Sequence, residues 1–187
     1  GNGRSYGDAS LGARMLDGRA LPEEFSLYKV NATVSCGAVM LLDELLLRIV
    51  PEGFFLPVSP GTRLITVGGA IAADIHGKNH HVDGSISAHV LEMHVVTGNG
   101  EDVTCSPEVR ADLFWSTVGG MGLTGMITSA TISLKRIGSA YIRQRSIKCR
   151  NLSELFEQFV EHADATYSVA WIDLLASGET LGRSLLL

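Results

Sequence analysis

The hexad Gly120-Met121-Gly122-Leu123-Thr124-Gly125 matches G-x-G-x-x-G letter for letter, yet its surroundings exclude the fold that this pattern usually announces. A dinucleotide fingerprint needs a strand before the glycines and a helix after them, because the helix N-terminus holds the pyrophosphate. Here the order is reversed. Pro107 followed by residues 108–118, with Leu113, Phe114 and Trp115, predicts an amphipathic helix. Residues 126–134 (MITSATISL) alternate with a period of two and are rich in β-branched side chains, which predicts a strand. A Rossmann domain is therefore rejected. The glycines remain useful only where backbone must come close to something. Trp115 is expected in the core.

The rest of the chain reads as short strands and helices intermixed, an α+β pattern. Residues 26–35 predict two short strands broken near Asn31. Residues 39–50 (VMLLDELLLRIV) predict a helix with Asp43, Glu44 and Arg48 on one side, ended by Pro51 and Gly53. A short strand is expected over 54–58, a turn over 59–62, and a hairpin of 89–97 with 101–104 across Gly98-Asn99-Gly100. A strand over 141–148, a helix over 152–162 and a strand over 169–174 complete the reading. Hydrophobic residues make up 45% of the chain and charged residues 19%, enough apolar material for a packed core. No apolar run reaches membrane-spanning length. The net charge of −5 argues against non-specific nucleic-acid binding. Cys36, Cys105 and Cys149 lack paired spacing and read as free thiols. The chain opens without Met and closes on Leu185-Leu186-Leu187, so truncation at both ends is expected.

Two stretches carry candidate chemistry. In residues 67–81, tightly spaced small residues (Gly68, Gly69, Ala70, Ala72, Ala73) run into Asp74, His76, Lys78, His80 and His81. Small residues feeding convergent polar groups suit a cofactor or substrate pocket. A short helical turn is expected over 70–73. Residues 1–8 (GNGRSYGD) form a glycine-spaced polar loop whose N–H groups suit an anion-binding concavity. His76, His80, His81 and His89 lie near Asp74 and Asp83, but no H-E-x-x-H spacing appears, and Gly77 and Asn79 oppose a helix there, so no metal is expected. Gly77-Lys78 lacks the first glycine and the Ser or Thr of a P-loop. No nucleophile elbow is present. On residues alone, both stretches are equally consistent with solvated polar loops.

Four segments together resemble a known family: GNGRSYGD at 1–8, PGTR at 60–63, TVGGAIAADIHGKNHH at 66–81 and FWSTVGGMGLTG at 114–125. The chain resembles the FAD-binding part of the vanillyl-alcohol-oxidase-type flavoproteins, and more narrowly the decaprenylphosphoryl-β-D-ribose 2-oxidase group. The resemblance implies a two-subdomain FAD-binding domain of the PCMH type over residues 1–139, with the beginning of a substrate domain over 140–187. It implies that Gly1, Asn2, Gly3, Arg4, Ser5, Tyr6, Gly7, Asp8 and Ala9 wrap the FAD pyrophosphate. Gly61, Thr62, Thr66, Val67, Gly68, Gly69, Ala73, Asp74, Ile75 and His76 would line the cofactor, with Gly122, Gly125 and Ile127 at its nucleotide end. His76 and Lys78 are the implied catalytic residues, and with Trp171 they would face the substrate. Arg4 stands where many members of the wider superfamily place a flavin-linking histidine, so non-covalent FAD is expected. The implied reaction oxidises a secondary sugar hydroxyl, that of a polyprenylphosphoryl ribose, to a ketone on the way to arabinose. A short-chain NAD(P)-dependent reductase would be the partner. An aldonolactone or alditol oxidase, or a non-catalytic nucleotide-binding module, are the alternatives.

Overall fold

The structure, a computed structural model, describes residues 1–8, 10–21 and 23–187. The chain forms two compact units, residues 1–140 and 141–187.

The first unit is built on a five-stranded antiparallel sheet. Its strands are β1 (Phe25–Tyr28), β2 (Thr33–Gly37), β4 (Val90–Thr97), β5 (Asp102–Cys105) and β6 (Gly125–Ser133), in the order β1-β2-β6-β4-β5. A two-stranded sheet pairs β3 (Phe54–Phe55) with β7 (Lys135–Arg136). Among the described residues, the α-helices that accompany them are α1 (Leu42–Ile49), α2 (Val67–Ala72), α3 (His80–Asp83) and α4 (Ala111–Thr117). The predicted pair of strands around Asn31, the hairpin of β4 with β5, and the strand after the glycine hexad are all present. The product is a mixture of helices and antiparallel sheets, as the α+β reading expects.

Helix α1 shows why. Leu42, Leu45 and Ile49 recur at helical spacing and are fully buried, each worth about 1.5–3 kcal/mol against exposure. The Glu44 carboxylate accepts the Leu41 N–H at 2.9 Å, satisfying one donor of the helix start. Asp43 and Glu44 in the first turn and Arg48 in the last complement the helix dipole. The helix begins three residues later than the pattern predicts. Residues 38–41 are used instead as a turn, closed by the Met40 N–H on the Gly37 carbonyl at 3.1 Å.

Other expectations are corrected. The strand over 54–58 shrinks to Phe54–Phe55, because Pro57 has no N–H to give a ladder. The helix over 108–118 starts at Ala111, since the Ser106 hydroxyl accepts the Glu108 and Val109 N–H groups and forms a turn. Trp115 is not in the core: it is 53% exposed, packed edge-to-face on buried Phe114. Successive helical residues point about 100° apart, so burying Phe114 turns its neighbour outward.

The second unit is a three-stranded antiparallel sheet, β8 (Ile147–Cys149), β10 (Ser184–Leu186) and β9 (Ala170–Ile172) in spatial order, with helix α5 (Leu152–Glu161). Its small core is Cys149, Leu155 and Leu186. Asn151 caps α5 by accepting the Glu154 N–H at 3.0 Å. The strand expected over 141–148 is confined to its end, where β8 pairs with β10. The strand expected over 169–174 is confined to β9.

Candidate functional site

Helix α2 is the centre of the site, and it starts at Val67, earlier than the expected turn over 70–73, with both glycines inside it. Its first three N–H groups have no partner within the helix. All three are claimed by protein: Val67 N–H donates to the Met40 carbonyl at 2.9 Å, Gly68 N–H to the Ala38 carbonyl at 2.8 Å, and Gly69 N–H to Thr66 Oγ1 at 3.1 Å. That is what the turn at 38–41 is for. A side chain at Gly68 would set its Cβ 2.9 Å from Ala38 Cβ and 3.2 Å from the Ala38 carbonyl oxygen. The helix start is therefore closed to an anion.

The far end of α2 is closed by the glycine hexad and its neighbour. Gly119 N–H donates to the Ile71 carbonyl at 3.1 Å, and Met121 N–H to the Ala72 carbonyl at 2.9 Å. The hexad thus caps a helix C-terminus, the opposite of the role its spelling suggests. Gly122 has φ +82° with open space around it, and Gly125 opens β6. Ile127 is buried in the core opposite Val95, so only its backbone can face a ligand.

The loop of residues 1–8 joins the same region. Asn2 Nδ2 donates to the Leu64 carbonyl at 2.8 Å, and Gly1 lies beside Thr66. Every residue of this loop is exposed, and Gly3 and Gly7 both adopt φ +62°, which glycine alone takes freely. Among the described residues, no acceptor takes the N–H groups of residues 2–8. These N–H groups are left facing solvent. Ala9, expected to belong to the same loop, lies outside the described residues. Gly61, Thr62, Gly69 and Ala73 are also exposed around the region, whereas Thr66 and Val67 are buried.

Past α2 the chain makes a strained bend. Asp74 has φ +40°, uncommon for a residue with a side chain. Its carboxylate accepts the Ser85 hydroxyl and the Ser87 N–H, each at 3.1 Å. Ile75 packs on the core, and its carbonyl accepts the Ile86 N–H at 2.9 Å. His76 bridges to Ser85, and a turn from Gly77 to His80 follows, with the His80 N–H on the Gly77 carbonyl at 3.2 Å. His76, Lys78 and His80 are all exposed, and the His76 and His80 rings meet edge-to-face at 5.4 Å. The structure thus places Gly1 and Asn2 beside Thr66 and Leu64 at the start of α2, and Asp74, His76 and Lys78 past its end. Trp171 lies in the other unit, on β9, 71% exposed.

Sequence reasoning missed the underside of this turn. Asn79 is fully buried. Its amide donates to the Pro57 carbonyl at 2.7 Å and to Asp83 Oδ2 at 2.5 Å. Asp83 also receives the Lys135 ammonium from β7. Nothing in the pattern of 76–81 marks Asn79 as buried, because its neighbours on both sides are solvated. Burial pushes the Asp83 carboxyl up, but the hydrogen bonds from Lys135 and Asn79, with the charges of Lys135 and His89, outweigh it and hold the carboxyl below its ordinary value. A depressed folded pKa contributes stability that is complete above the unfolded value of about 3.9 and is lost as pH falls through the folded one. Below about pH 4, the Tm of the chain is expected to fall more steeply than that of an Asp83→Asn variant. Equal slopes in a thermal melt series would refute this.

Among the described residues, no three His, Cys, Asp or Glu side chains gather into a metal-holding group. Cys36, Cys105 and Cys149 are free and buried, and burial pushes the Cys36 thiol up to about 12, so it is no nucleophile. No helix among the described residues is long and apolar enough to cross a membrane.

The family described as FAD binding domain matches residues 1–106. The chain is 42% identical to a decaprenylphosphoryl-β-D-ribose oxidase of Mycolicibacterium smegmatis, over 98% of this chain and 41% of that protein. It is 37% identical to an uncharacterised protein of Streptomyces coelicolor, over 78% of this chain and 40% of that one. It is 34% identical to cytokinin dehydrogenase 7 of Oryza sativa, over 72% of this chain and 27% of that one. The chain thus spans about two fifths of the length of the first two of these relatives.

Proposed function

Because the chain belongs to the FAD binding domain family, we propose that it is the cofactor-holding portion of an FAD-dependent oxidoreductase that oxidises a secondary hydroxyl of a sugar. The observation that carries this reading is the pairing of an unclaimed N–H loop at residues 1–8 with the exposed His76–Lys78–His80 turn at the other end of α2. The substrate we assign is a polyprenylphosphoryl ribose, oxidised at its 2'-hydroxyl, with a short-chain NAD(P)-dependent reductase completing the change to arabinose. The likeness to the Mycolicibacterium protein supports that choice.

The residues suit the cofactor. The exposed N–H groups of 2–8 would hold the pyrophosphate, and Gly69 and Ala73 present backbone without bulky side chains beside it. Bound FAD supplies a two-electron acceptor for the hydride that leaves the alcohol carbon. The chain supplies orientation and charge. An imidazole at His76 accepts the hydroxyl proton, and the Lys78 ammonium stabilises negative charge on the oxygen or on a substrate phosphate. Arg4 stands where a flavin-linking histidine would be, and no histidine precedes His76, which supports FAD held non-covalently.

The test is anaerobic titration of the FAD-loaded protein with a polyprenylphosphoryl pentose. Bleaching of the flavin absorbance is expected. Absence of bleaching refutes the substrate, and hydrogen peroxide made from a small water-soluble sugar instead would establish an aldonolactone or alditol oxidase. Acid precipitation is expected to leave the yellow colour in the supernatant; a yellow pellet would overturn non-covalent binding.

A further inference from the structure

The turn that carries His76 and Lys78 is pinned from below at three points. Both hydrogens of the Asn79 amide go to oxygen acceptors, the Pro57 carbonyl and the Asp83 carboxylate. Two oxygen partners fix the amide's orientation, since the reverse would set oxygen against oxygen. The same Asp83 oxygen takes Lys135 Nζ, and the Asp83 carbonyl lies 2.9 Å from His89 Nε2. Gly77 fills the gap above. A Cβ there would sit 2.6 Å from the Ser59 carbonyl oxygen and 2.6 Å from Asn79 Oδ1. The third point is thus the Gly77 backbone pressed on Ser59. Among the described residues, Asn79 Oδ1 has no hydrogen-bond partner although it is buried. An acceptor left unpaired costs stability. The amide thus spends both of its donors on Pro57 and Asp83 while its acceptor gains nothing in return.

We propose that Asn79, Asp83 and Lys135 are positioning residues that fix His76 and Lys78 for the sugar oxidation, an inference that rests on the function proposed above. Lys135 reaches from β7, at the end of the central strand β6, so the clamp ties the exposed turn to the sheet and not merely to adjacent loop. None of the three needs to touch substrate. They act by removing freedom from side chains that must meet a reacting atom within a fraction of an ångström.

Lys135 is one-third exposed, so a neutral side chain there leaves the core intact. The test compares Lys135→Met and Lys135→Arg in the FAD-loaded full chain. Three quantities are read: FAD affinity by flavin fluorescence, the rate of flavin reduction at saturating polyprenylphosphoryl pentose, and the imidazole C2–H resonances of His76 and His80. Lys135→Met is expected to slow reduction about tenfold or more, to shift both resonances, and to leave FAD affinity within about threefold. Lys135→Arg, which keeps the cation, is expected to restore the rate and the resonances. Unchanged rate and resonances in Lys135→Met overturn the proposal, as does equal loss in both variants with FAD affinity falling in step. If the wild-type flavin is not reduced at all, the substrate reading fails while the resonances still decide the clamp: shifted by Met and restored by Arg they uphold it, and unshifted they refute it.

Discussion

Gly125→Val is expected to destabilise the chain by about 3 kcal/mol or more, close to what a small domain can lose before unfolding. Gly125 begins β6 opposite Thr97 of β4, at φ +154°. A Cβ there would stand 2.4 Å from the Val96 carbonyl oxygen, 2.9 Å from Val95 Cγ1 and 3.0 Å from Thr97 Cα. Two of those neighbours are backbone of the paired strand β4, so relief requires parting β4 from β6 at this end of the ladder. A carbonyl oxygen cannot rotate away as a side chain does. By contrast, Gly122→Ala meets nothing within 4 Å and bears only the left-handed conformation, costing about 1–2 kcal/mol. Urea unfolding of both variants checks the pair. A Gly125→Val midpoint equal to wild type, or a Gly122→Ala loss as large as that of Gly125→Val, would show the reading of the hexad to be wrong.

The hexad illustrates what a pattern can hide. Gly125 is there for strand contact, Gly122 for a positive φ, and Gly120 because a Cβ would lie 2.2 Å from the Ser116 carbonyl oxygen. Three separate steric demands spell a dinucleotide fingerprint by coincidence. What saved the interpretation was periodicity on either side, because strand and helix periods are set by backbone geometry and survive in the sequence. The same signal made α1, β2, β6 and the β4–β5 hairpin legible. It failed where contacts across the chain decide the outcome. Trp115 sits in a helical pattern of only two turns, too short to say which side faces inward. In the stretch expected as a strand over 141–148, the strand that forms is Ile147–Cys149, because pairing with β10 decides its extent and local composition does not.

The site was legible in part. The small residues of 67–73 and the polar residues of 74–81 are visible as composition. What closes the two ends of α2 is not, because the Ala38, Met40, Gly119 and Met121 backbones that do it are 27 to 49 positions away and almost any residue offers the same N–H and carbonyl. Asp74 looked like a group for the cofactor. Its carboxylate also accepts from Ser85 and Ser87, partners that lie outside the stretch and that its composition does not reveal. Asn79 looked solvated and is the most enclosed polar residue of the stretch.

The second large effect concerns the two exposed side chains of the turn. His76→Ala is expected to slow substrate-driven flavin reduction about a hundredfold or more, the usual contribution of a positioned proton acceptor. Lys78→Met is expected to act differently. Loss of a charge-assisted hydrogen bond of about 1.5–3 kcal/mol raises the substrate concentration needed by roughly tenfold to a hundredfold. If Lys78 meets a substrate phosphate, which carries charge throughout the reaction, the rate at saturation changes little. If it meets the alcohol oxygen, whose charge develops only as the hydride leaves, the saturated rate falls as well. Rapid-mixing measurement of flavin reduction across substrate concentration separates these outcomes. FAD affinity should be nearly unchanged in Lys78→Met, because the backbone N–H groups of residues 2–8 proposed to hold the pyrophosphate do not depend on that side chain. Reduction at the wild-type rate in His76→Ala would remove His76 from the reaction. His80, whose ring already meets that of His76 at 5.4 Å, would then be the next imidazole to replace.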